Sequence, residues 1–249
     1  MINFETILQE CKEGYRAFEK NIVRDRVPKS FEEAIVGARK RNPIIAEVKP
    51  SSPSGMNKIV IDPKEVGLQM IEGGAIGLSV LTEKKYFSGS LTNLQEVAKV
   101  SHVPVLRKDF IFHEAQIPES YYYGADSLLL ISSFFSSSKL KEFLSKSREL
   151  GMEPLVEIHS LKDIEKAKEA DARIYVINNR DKDTLEIDIK RSEEFSKHID
   201  GLKISASGIS TKADLEYVLE YCDAALIGNS IMQAEHIKEK TGEFVYGSQ

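Results

Sequence analysis

The feature that most constrains the fold is an alternation of short apolar runs with amphipathic stretches from Pro43 onward. Short apolar runs separated by helical stretches are typical of strands that pair in parallel through right-handed crossovers. Eight such runs are present: Ile44–Lys49, Ile76–Leu81, Val103–Arg107, Ser127–Ile131, Pro154–Ile158, Ile174–Asn178, Leu202–Ser205 and Ala224–Ile227.

The runs also carry an internal repeat. A dipeptide introduces each even-numbered run, at steps of 50, 46 and 52 residues: Gly74-Ala75, Gly124-Ala125, Ala170-Asp171 and Cys222-Asp223. About 205 residues shared among eight strand–helix units give roughly 25 per unit, the size expected in a (β/α)8 barrel. A flavodoxin-like sheet has fewer strands than the eight runs present and would leave some of them without a place. The sequence therefore predicts an α/β fold, a (β/α)8 TIM barrel.

Residues 1–40 precede this alternation and form a helical preface. Phe4, Ile7, Leu8 and Cys11 recur at helical spacing. Ser30 with Glu33 makes a capping box, which predicts a second helix from Phe31 to about Lys40. We expect one barrel domain over residues 1–249, with residues 1–40 as a helical N-terminal extension packed on the barrel.

Composition narrows the classes of partner. The 249-residue chain has a formal net charge of −5 and no basic block, which disfavours nucleic acid. Cys11 and Cys222 show neither metal-ligand spacing nor a disulfide framework, and the five histidines are scattered. The first 20 residues resemble neither a signal peptide nor a membrane span. We expect a cytoplasmic protein with no metal and no membrane partner.

Charged residues follow the predicted third strand, in the stretch VPVLRKDF. Arg107, Lys108 and Asp109 are expected at the carboxyl end of the strand, where barrels bind their ligands. A lysine there can be desolvated, which lowers its pKa and suits it to donate a proton near neutral pH. A solvated charged turn is the alternative.

Side-chain alternation extends this candidate site to other strands. Ala46 and Val48 are expected to meet the helices, which turns the charged residues between them toward the barrel mouth. The alternative interpretation is a single buried ion pair that has no catalytic role. Charged or polar residues at the same end of several strands favour a functional site instead. The residues whose side chains are expected to point toward the barrel mouth are Glu47, Lys49, Lys108, Glu157 and Asn178, with Arg180 two positions after Asn178.

Small residues end the last two predicted strands. Ser207-Gly208 follows the seventh, and Gly228-Asn229 follows the eighth just before the helical stretch Ser230–Ala234. Such residues let backbone N–H groups surround an anion, as in the phosphate site after strands seven and eight of many barrels. The two pairs together favour a phosphate site over simple turns.

The motifs IIAEVKPSSPSG, SVLTEKKYFSGS, PVLRKDF, LVEIH, INNRD and Ser207–Ile209 resemble those of the indole-3-glycerol-phosphate synthase family of tryptophan biosynthesis. The resemblance runs from about Ile44 to Met232. It implies a phosphorylated small-molecule substrate, 1-(2-carboxyphenylamino)-1-deoxyribulose 5-phosphate, which is closed to indole-3-glycerol phosphate with loss of carbon dioxide and water. It implies no metal or organic cofactor, and leaves other tryptophan-pathway enzymes open as partners.

The resemblance also implies roles for individual residues. Lys108 is similar to the general acid of ring closure, and Glu157 to the general base of dehydration. Lys49 resembles a residue that binds the anionic substrate and shares the acid role, with Glu47 and Asn178 as polar partners. The substrate-binding residues that the resemblance implies are Arg180, Phe87, Phe110, Leu81 and Ile131. The phosphate-binding residues are Lys49, Ser207, Gly208, Gly228 and Asn229.

Two positions depart from the family pattern. Pro50 and Ser51 follow Lys49 where the family has a basic run, and Ala206 stands where the family usually has glutamate. Three functions stay open: an active synthase, a catalytically weak barrel that binds a phosphorylated ligand or serves as a partner subunit, and an enzyme like phosphoribosylanthranilate isomerase. The isomerase pattern is disfavoured, because it has a cysteine base where Glu47 and Lys49 end strand one.

Overall fold

The structure is a computed structural model that describes residues 4–20, 24, 26–38, 40–50 and 62–247. Within these residues, eight parallel strands pair in chain order and the last closes on the first, so the (β/α)8 barrel prediction is confirmed. The strands are β1 (Ile44–Val48), β2 (Gly77–Leu81), β3 (Val105–Lys108), β4 (Ser127–Ile131), β5 (Leu155–Ile158), β6 (Ile174–Asn178), β7 (Leu202–Ala206) and β8 (Ala224–Ile227).

Helices follow the strands around the outside of the barrel. None of those in the described segments is long and apolar enough to cross a membrane. The helices are α1 (Phe4–Gly14), α2 (Phe31–Val36), α3 (Pro63–Glu72), α4 (Leu91–Val100), α5 (Gln116–Tyr122), α6 (Ser137–Glu149), α7 (Leu161–Glu169), α8 (Lys190–Ser196), α9 (Lys212–Leu219), α10 (Asn229–Met232) and α11 (Ile237–Tyr246), with a 3-10 turn at Ser132–Phe134.

Strand alternation divides the apolar residues between two layers. Ala46 and Val48 of β1 pack in a core that also contains Val66 and Met70 of α3. The neighbouring residue Ile45 instead belongs to the core inside the barrel. Removing both faces of every strand from water stabilises a parallel sheet and leaves the polar residues at the strand ends to face the mouth.

The chain before β1 contacts both ends of the barrel. Near the mouth, Glu10 of α1 pairs with Lys85 at 2.5 Å and accepts a hydrogen bond from Tyr86, both in the loop after β2. At the opposite end, Arg24 and Arg26 pair with buried Asp126, the residue before β4, at 2.5 and 2.8 Å. These contacts join residues more than 70 positions apart.

Helix α2 lies at the end of the barrel opposite the mouth. The Ser30 side chain caps it by accepting the Glu33 N–H, and Glu153 accepts hydrogen bonds from Ser30 Oγ and the Phe31 N–H. The helix ends at Val36 rather than near Lys40: Gly37 is its C-cap, and the Gly37 N–H makes the last helical hydrogen bond, to the Glu33 carbonyl at 2.8 Å.

Candidate active site

Two lysines converge on one carboxylate at the barrel mouth. Lys49 Nζ lies 3.8 Å from Glu47 Oε1, and Lys108 Nζ lies 3.9 Å from Glu47 Oε2. Glu47 is buried, and the two ammonium groups approach it from β1 and β3. Two ammonium groups thus lie near one carboxylate, and both are too far from it for a hydrogen bond.

The burial of Lys49 changes its chemistry. Burial lowers the pKa of the Lys49 ammonium, the Glu47 carboxylate opposes this, and the nearby charges of Lys108 and Arg180 lower the pKa further. Lys49 Nζ also lies 5.6 Å from the centre of the Phe87 ring. An ammonium with a lowered pKa releases its proton more readily, which suits Lys49 to binding and acid chemistry.

Glu157 projects from β5 and is 2 % exposed. Burial raises the pKa of its carboxyl group, but the hydrogen bond and charge of His159 and the charge of Lys108 outweigh burial, and the pKa falls to about 2. Oε1 contacts His159 Nε2 at 2.8 Å, whereas Oε2 is buried with no hydrogen-bond partner among the described residues. The Asn178 side chain also lowers this pKa, although its amide makes no contact with Oε2 that meets hydrogen-bond geometry. Glu157 is therefore ionised, and Oε2 is the oxygen that His159 leaves unbound.

Asn178 and Arg180 lie at the end of β6. The Arg180 N–H donates to Asn178 Oδ1 at 3.0 Å, and the guanidinium donates to the Leu185 carbonyl at 2.9 Å. Arg180 also bridges to Ile187 in the loop that returns to α8. The two predicted residues are thus brought together, with Arg180 held by its own loop.

Apolar residues surround the polar groups. Leu81 pairs in register with Lys108, and Ile131 with Glu157. The rings of Phe87 and Phe110 have centroids 6.4 Å apart, and Phe110 lies 6.0 Å from Phe134. The three phenylalanines form an aromatic row at the mouth, of a kind that can pack against a planar ligand.

The two predicted phosphate loops lie side by side. Ser207 and Gly208 have φ values of 72° and 83°, and a Cβ on Gly208 would come within 2.4 Å of Ile187. A Cβ on Gly228 would come within 2.7 Å of Glu47 Oε1. Ser230 Oγ donates to the Ile209 carbonyl at 2.7 Å and ties the loops together. Close backbone approach explains why glycine occupies both positions.

The predicted triplet of charges after β3 separates in the structure. Lys108 belongs to the strand and points to the mouth, but Arg107 turns outward and pairs with Asp109 at 2.9 Å and Glu119 at 2.8 Å. Because alternate strand residues point to opposite faces, Arg107 and Lys108 cannot share one site. Arg107 fastens β3 to α5 through Glu119, and Asp109 accepts a hydrogen bond from Thr82 after β2.

Comparison with known proteins adds to this geometry. A profile described as indole-3-glycerol phosphate synthase matches residues 5–244. The chain is 47% identical over 210 residues to the indole-3-glycerol phosphate synthase of Methanocaldococcus jannaschii, covering 82% of this chain and 78% of the relative. It is 39% identical over 246 residues to that of Aquifex aeolicus, covering 97% and 95%. The chain belongs to the indole-3-glycerol phosphate synthase family.

Its main departure from the indole-3-glycerol phosphate synthase pattern lies inside the barrel. Ala206 belongs to the core within the barrel and pairs in register with Asn178. The methyl group therefore borders the polar cluster, where the family pattern has a carboxylate. The other departure is Pro50 with Ser51, and Ser51 and the rest of the motif up to Gly55 lie outside the described residues.

Sequence reasoning missed three residues of this indole-3-glycerol phosphate synthase fold that the structure places beside the candidate site. Asn179 donates to Ser205 Oγ and to the Ser207 carbonyl, both at 3.0 Å, and so supports the first phosphate loop. Phe134 extends the aromatic row, and His159 contacts Glu157. Asn179 follows Asn178 directly and His159 follows the LVEI motif, so their positions in the sequence indicated that they lie near the candidate site. No feature of the sequence indicated this for Phe134.

Proposed function

We propose that this member of the indole-3-glycerol phosphate synthase family converts 1-(2-carboxyphenylamino)-1-deoxyribulose 5-phosphate to indole-3-glycerol phosphate, carbon dioxide and water. The observation that carries the proposal is the convergence of Lys49 and Lys108 on Glu47 at the barrel mouth. Two ammonium groups near one carboxylate suit a reaction that needs a proton donor and an anionic substrate.

In the first step we assign the acid role to Lys108. The aromatic carbon that bears the carboxylate attacks the ketone carbon, and Lys108 protonates the ketone oxygen as it becomes a hydroxyl. Loss of carbon dioxide from the attacking carbon then restores the aromatic ring. The buried carboxylate of Glu47 lies 3.9 Å from Lys108 Nζ and opposes the effect of burial on Lys49, whose charged form it favours.

The second step removes water. We assign Glu157 as the base that takes a proton from the new five-membered ring, while a lysine protonates the hydroxyl that leaves. The free Oε2 of Glu157 supports this role, because a base needs an unoccupied oxygen near the proton it abstracts. The asparagine amide of Asn178 would orient the substrate hydroxyls.

The remaining residues are assigned to binding. Phe87 and Phe110 would hold the anthranilate ring, Leu81 and Ile131 would line its floor, and Arg180 would anchor the substrate. The phosphate is assigned to Lys49 together with the two loops, through Ser207, Gly208, Gly228 and Asn229. We expect the enzyme to act in the cytoplasm on this phosphorylated metabolite, and association with other tryptophan-pathway enzymes stays a prediction.

The test is to mix the purified protein with the carboxyphenylamino substrate and record the appearance of indole fluorescence. We expect turnover in the parent protein.

One observation favours a second function, a catalytically weak barrel that mainly binds a phosphorylated ligand: Ala206 stands in the polar cluster where a carboxylate was expected. Calorimetric binding of the substrate without any fluorescent product would support that function instead. Turnover of phosphoribosylanthranilate would indicate the isomerase.

A further inference from the structure

The His159 ring lies between two oxygen atoms just beyond the end of β5. Its Nε2 is 2.8 Å from Glu157 Oε1, and its Nδ1 is 3.2 Å from the Arg180 carbonyl oxygen. The residue is 6 % exposed, so water contributes little to its ring nitrogens. The ring thus connects the end of β5 to the chain that follows β6.

Both oxygens can only accept. A neutral imidazole has one N–H, so it would leave one ring nitrogen with its lone pair facing an oxygen. An imidazolium donates to both. Two buried contacts of this kind, one with a carboxylate, therefore favour the charged ring and a charge-assisted hydrogen bond to Glu157.

The charges around His159 come from each element packed against it. On β5 the charge is that of Glu157; on α7 it is that of Asp163, which accepts the His159 backbone N–H at 3.2 Å and whose carboxylate is 3.8 Å from Lys166 Nζ. From the chain after β6 the Arg180 backbone carbonyl accepts from the ring, and Lys108 on β3 acts on Glu157. Glu157 contacts the ring itself, whereas Asp163 contacts the His159 backbone and favours the charged ring through its negative charge.

The backbone of His159 is also fixed. Asp163 Oδ2 accepts the His159 N–H and the Ser160 hydroxyl at 3.0 Å, and Ser160 caps α7. The backbone that carries the ring is therefore held at the start of that helix, and the ring itself is held by its contacts with Glu157 and the Arg180 carbonyl. A rigid partner of this kind can restrict the rotamer of the carboxylate it contacts.

We propose that His159 is a positioning residue, charged in the resting protein, which holds Glu157 by Oε1 and leaves Oε2 to take the proton from the substrate. The proposal rests on the proposed function, since Glu157 is the base only in that reaction. His159 itself is not assigned any contact with substrate.

The first experiment measures the ring directly and needs no turnover. Nitrogen-15 NMR of the imidazole should show both His159 nitrogens protonated in the parent protein between pH 6 and about 7, since an adjacent carboxylate raises the pKa of histidine. The doubly protonated form should be lost over this range in Glu157→Gln. A neutral His159 ring in the folded parent at pH 6 would overturn the proposal.

The second experiment compares pH profiles of kcat for His159→Gln and His159→Leu. Both should lower kcat, by up to about 10²-fold for the leucine variant, with little change in KM, because the base is misplaced rather than the substrate released. Glutamine retains a donor and should restore part of the loss. In both variants the acid limb should move upward by about 1 to 3 pH units, because Glu157 loses a neighbouring positive charge.

His198→Gln, at an exposed site just after α8, is the matched control and should leave the profile unchanged. An unmoved acid limb in a folded His159→Gln protein would overturn the positioning role while leaving the proposed function intact. Absence of turnover in the parent would reject the proposed function, and with it the assignment of Glu157 as base, whatever the ring NMR shows.

Discussion

Ala206 of β7 and Asn178 of β6 are register partners on the inner face of the barrel. With this small methyl group in place, Glu47 and Glu157 are the carboxylates that interact with Lys49 and Lys108 in the described part of the barrel mouth. A glutamate at position 206 would add a third carboxylate next to Asn178. The family pattern has that glutamate, so the pair marks where this chain differs chemically.

We expect Ala206→Glu to raise kcat by about tenfold or more while changing KM less. The new carboxylate would favour the charged lysines and offer an acceptor to the substrate, a gain of about 1.5–3 kcal/mol for one charge-assisted interaction. Steady-state and single-turnover kinetics would measure it. Ala206→Gln has a similar shape without charge and should not reproduce the gain. Equal or lower kcat in the glutamate variant, with chemistry rate-limiting in both proteins, would show that this site works without that carboxylate.

Lys108→Ala should lower kcat by roughly 10²–10⁴-fold, because it removes the acid at the reacting oxygen. Lys108→Arg should not restore the rate, since a guanidinium does not release its proton near neutral pH. Single-turnover fluorescence would measure both, with circular dichroism to verify folding. Lys141→Ala, at an exposed position of α6, is the control. Near-parental kcat in Lys108→Ala, with chemistry rate-limiting, would assign the acid to another residue.

Asn229→Asp should raise the substrate Kd by about tenfold or more, a cost of about 1.4 kcal/mol, because it places a like charge against the phosphate at nearly unchanged volume. Calorimetry would measure this, and inorganic phosphate should compete with substrate in the parent protein. Asn229→Ser separates loss of the amide from gain of charge and should change Kd less. Gly228→Asp, although also expected to weaken binding sharply, would in addition crowd Glu47. An unchanged Kd in Asn229→Asp would place the phosphate elsewhere.

The Glu157–His159 pair predicts how stability depends on pH. The pKa of Glu157 falls from 4.5 to about 2 on folding, so its contribution is complete above about 4.5 and is lost as the pH falls toward 2. The pKa of His159 is raised above 6.5: burial lowers it, but the hydrogen bond and charge of Glu157 dominate. Its contribution is complete below about 6.5 and is lost as the pH rises through the raised value.

Urea unfolding followed by circular dichroism would test this. Between pH 4.5 and 2, the free energy of unfolding should fall less steeply in Glu157→Gln than in the parent, whereas exposed Glu194→Gln should follow the parent. Parallel curves for the parent and Glu157→Gln would show that Glu157 has an ordinary pKa in the folded protein.

Asp126→Asn should lower the free energy of unfolding by about 3–5 kcal/mol, because it leaves the charges of Arg24 and Arg26 without their buried partner. Chemical unfolding would measure the loss. Glu114→Gln breaks an exposed pair with Lys146 and should have a small effect. Equal effects of the two substitutions would mean that Asp126 does not hold Arg24 and Arg26 to the barrel.

The sequence by itself determined the barrel and the inward phase of its strands. Both follow from local rules: helices must connect parallel strands, and side chains alternate along each strand. Those rules predicted that Ala46 and Val48 would face the helices, as the structure confirms. They also predicted the inward placement of Glu47 and Lys108, which the ion-pair distances agree with.

Only the tertiary structure decided which side chains meet. The contact between Lys108 and Glu47 joins residues 61 positions apart and depends on how strand register and barrel closure align β1 with β3. The same holds for the contact of His159 with the Arg180 carbonyl, and for the outward pairing of Arg107 that separates it from Lys108. The periodicity of a strand specifies the face on which each side chain lies, but the distance between side chains on different strands is set by the packing of the whole barrel.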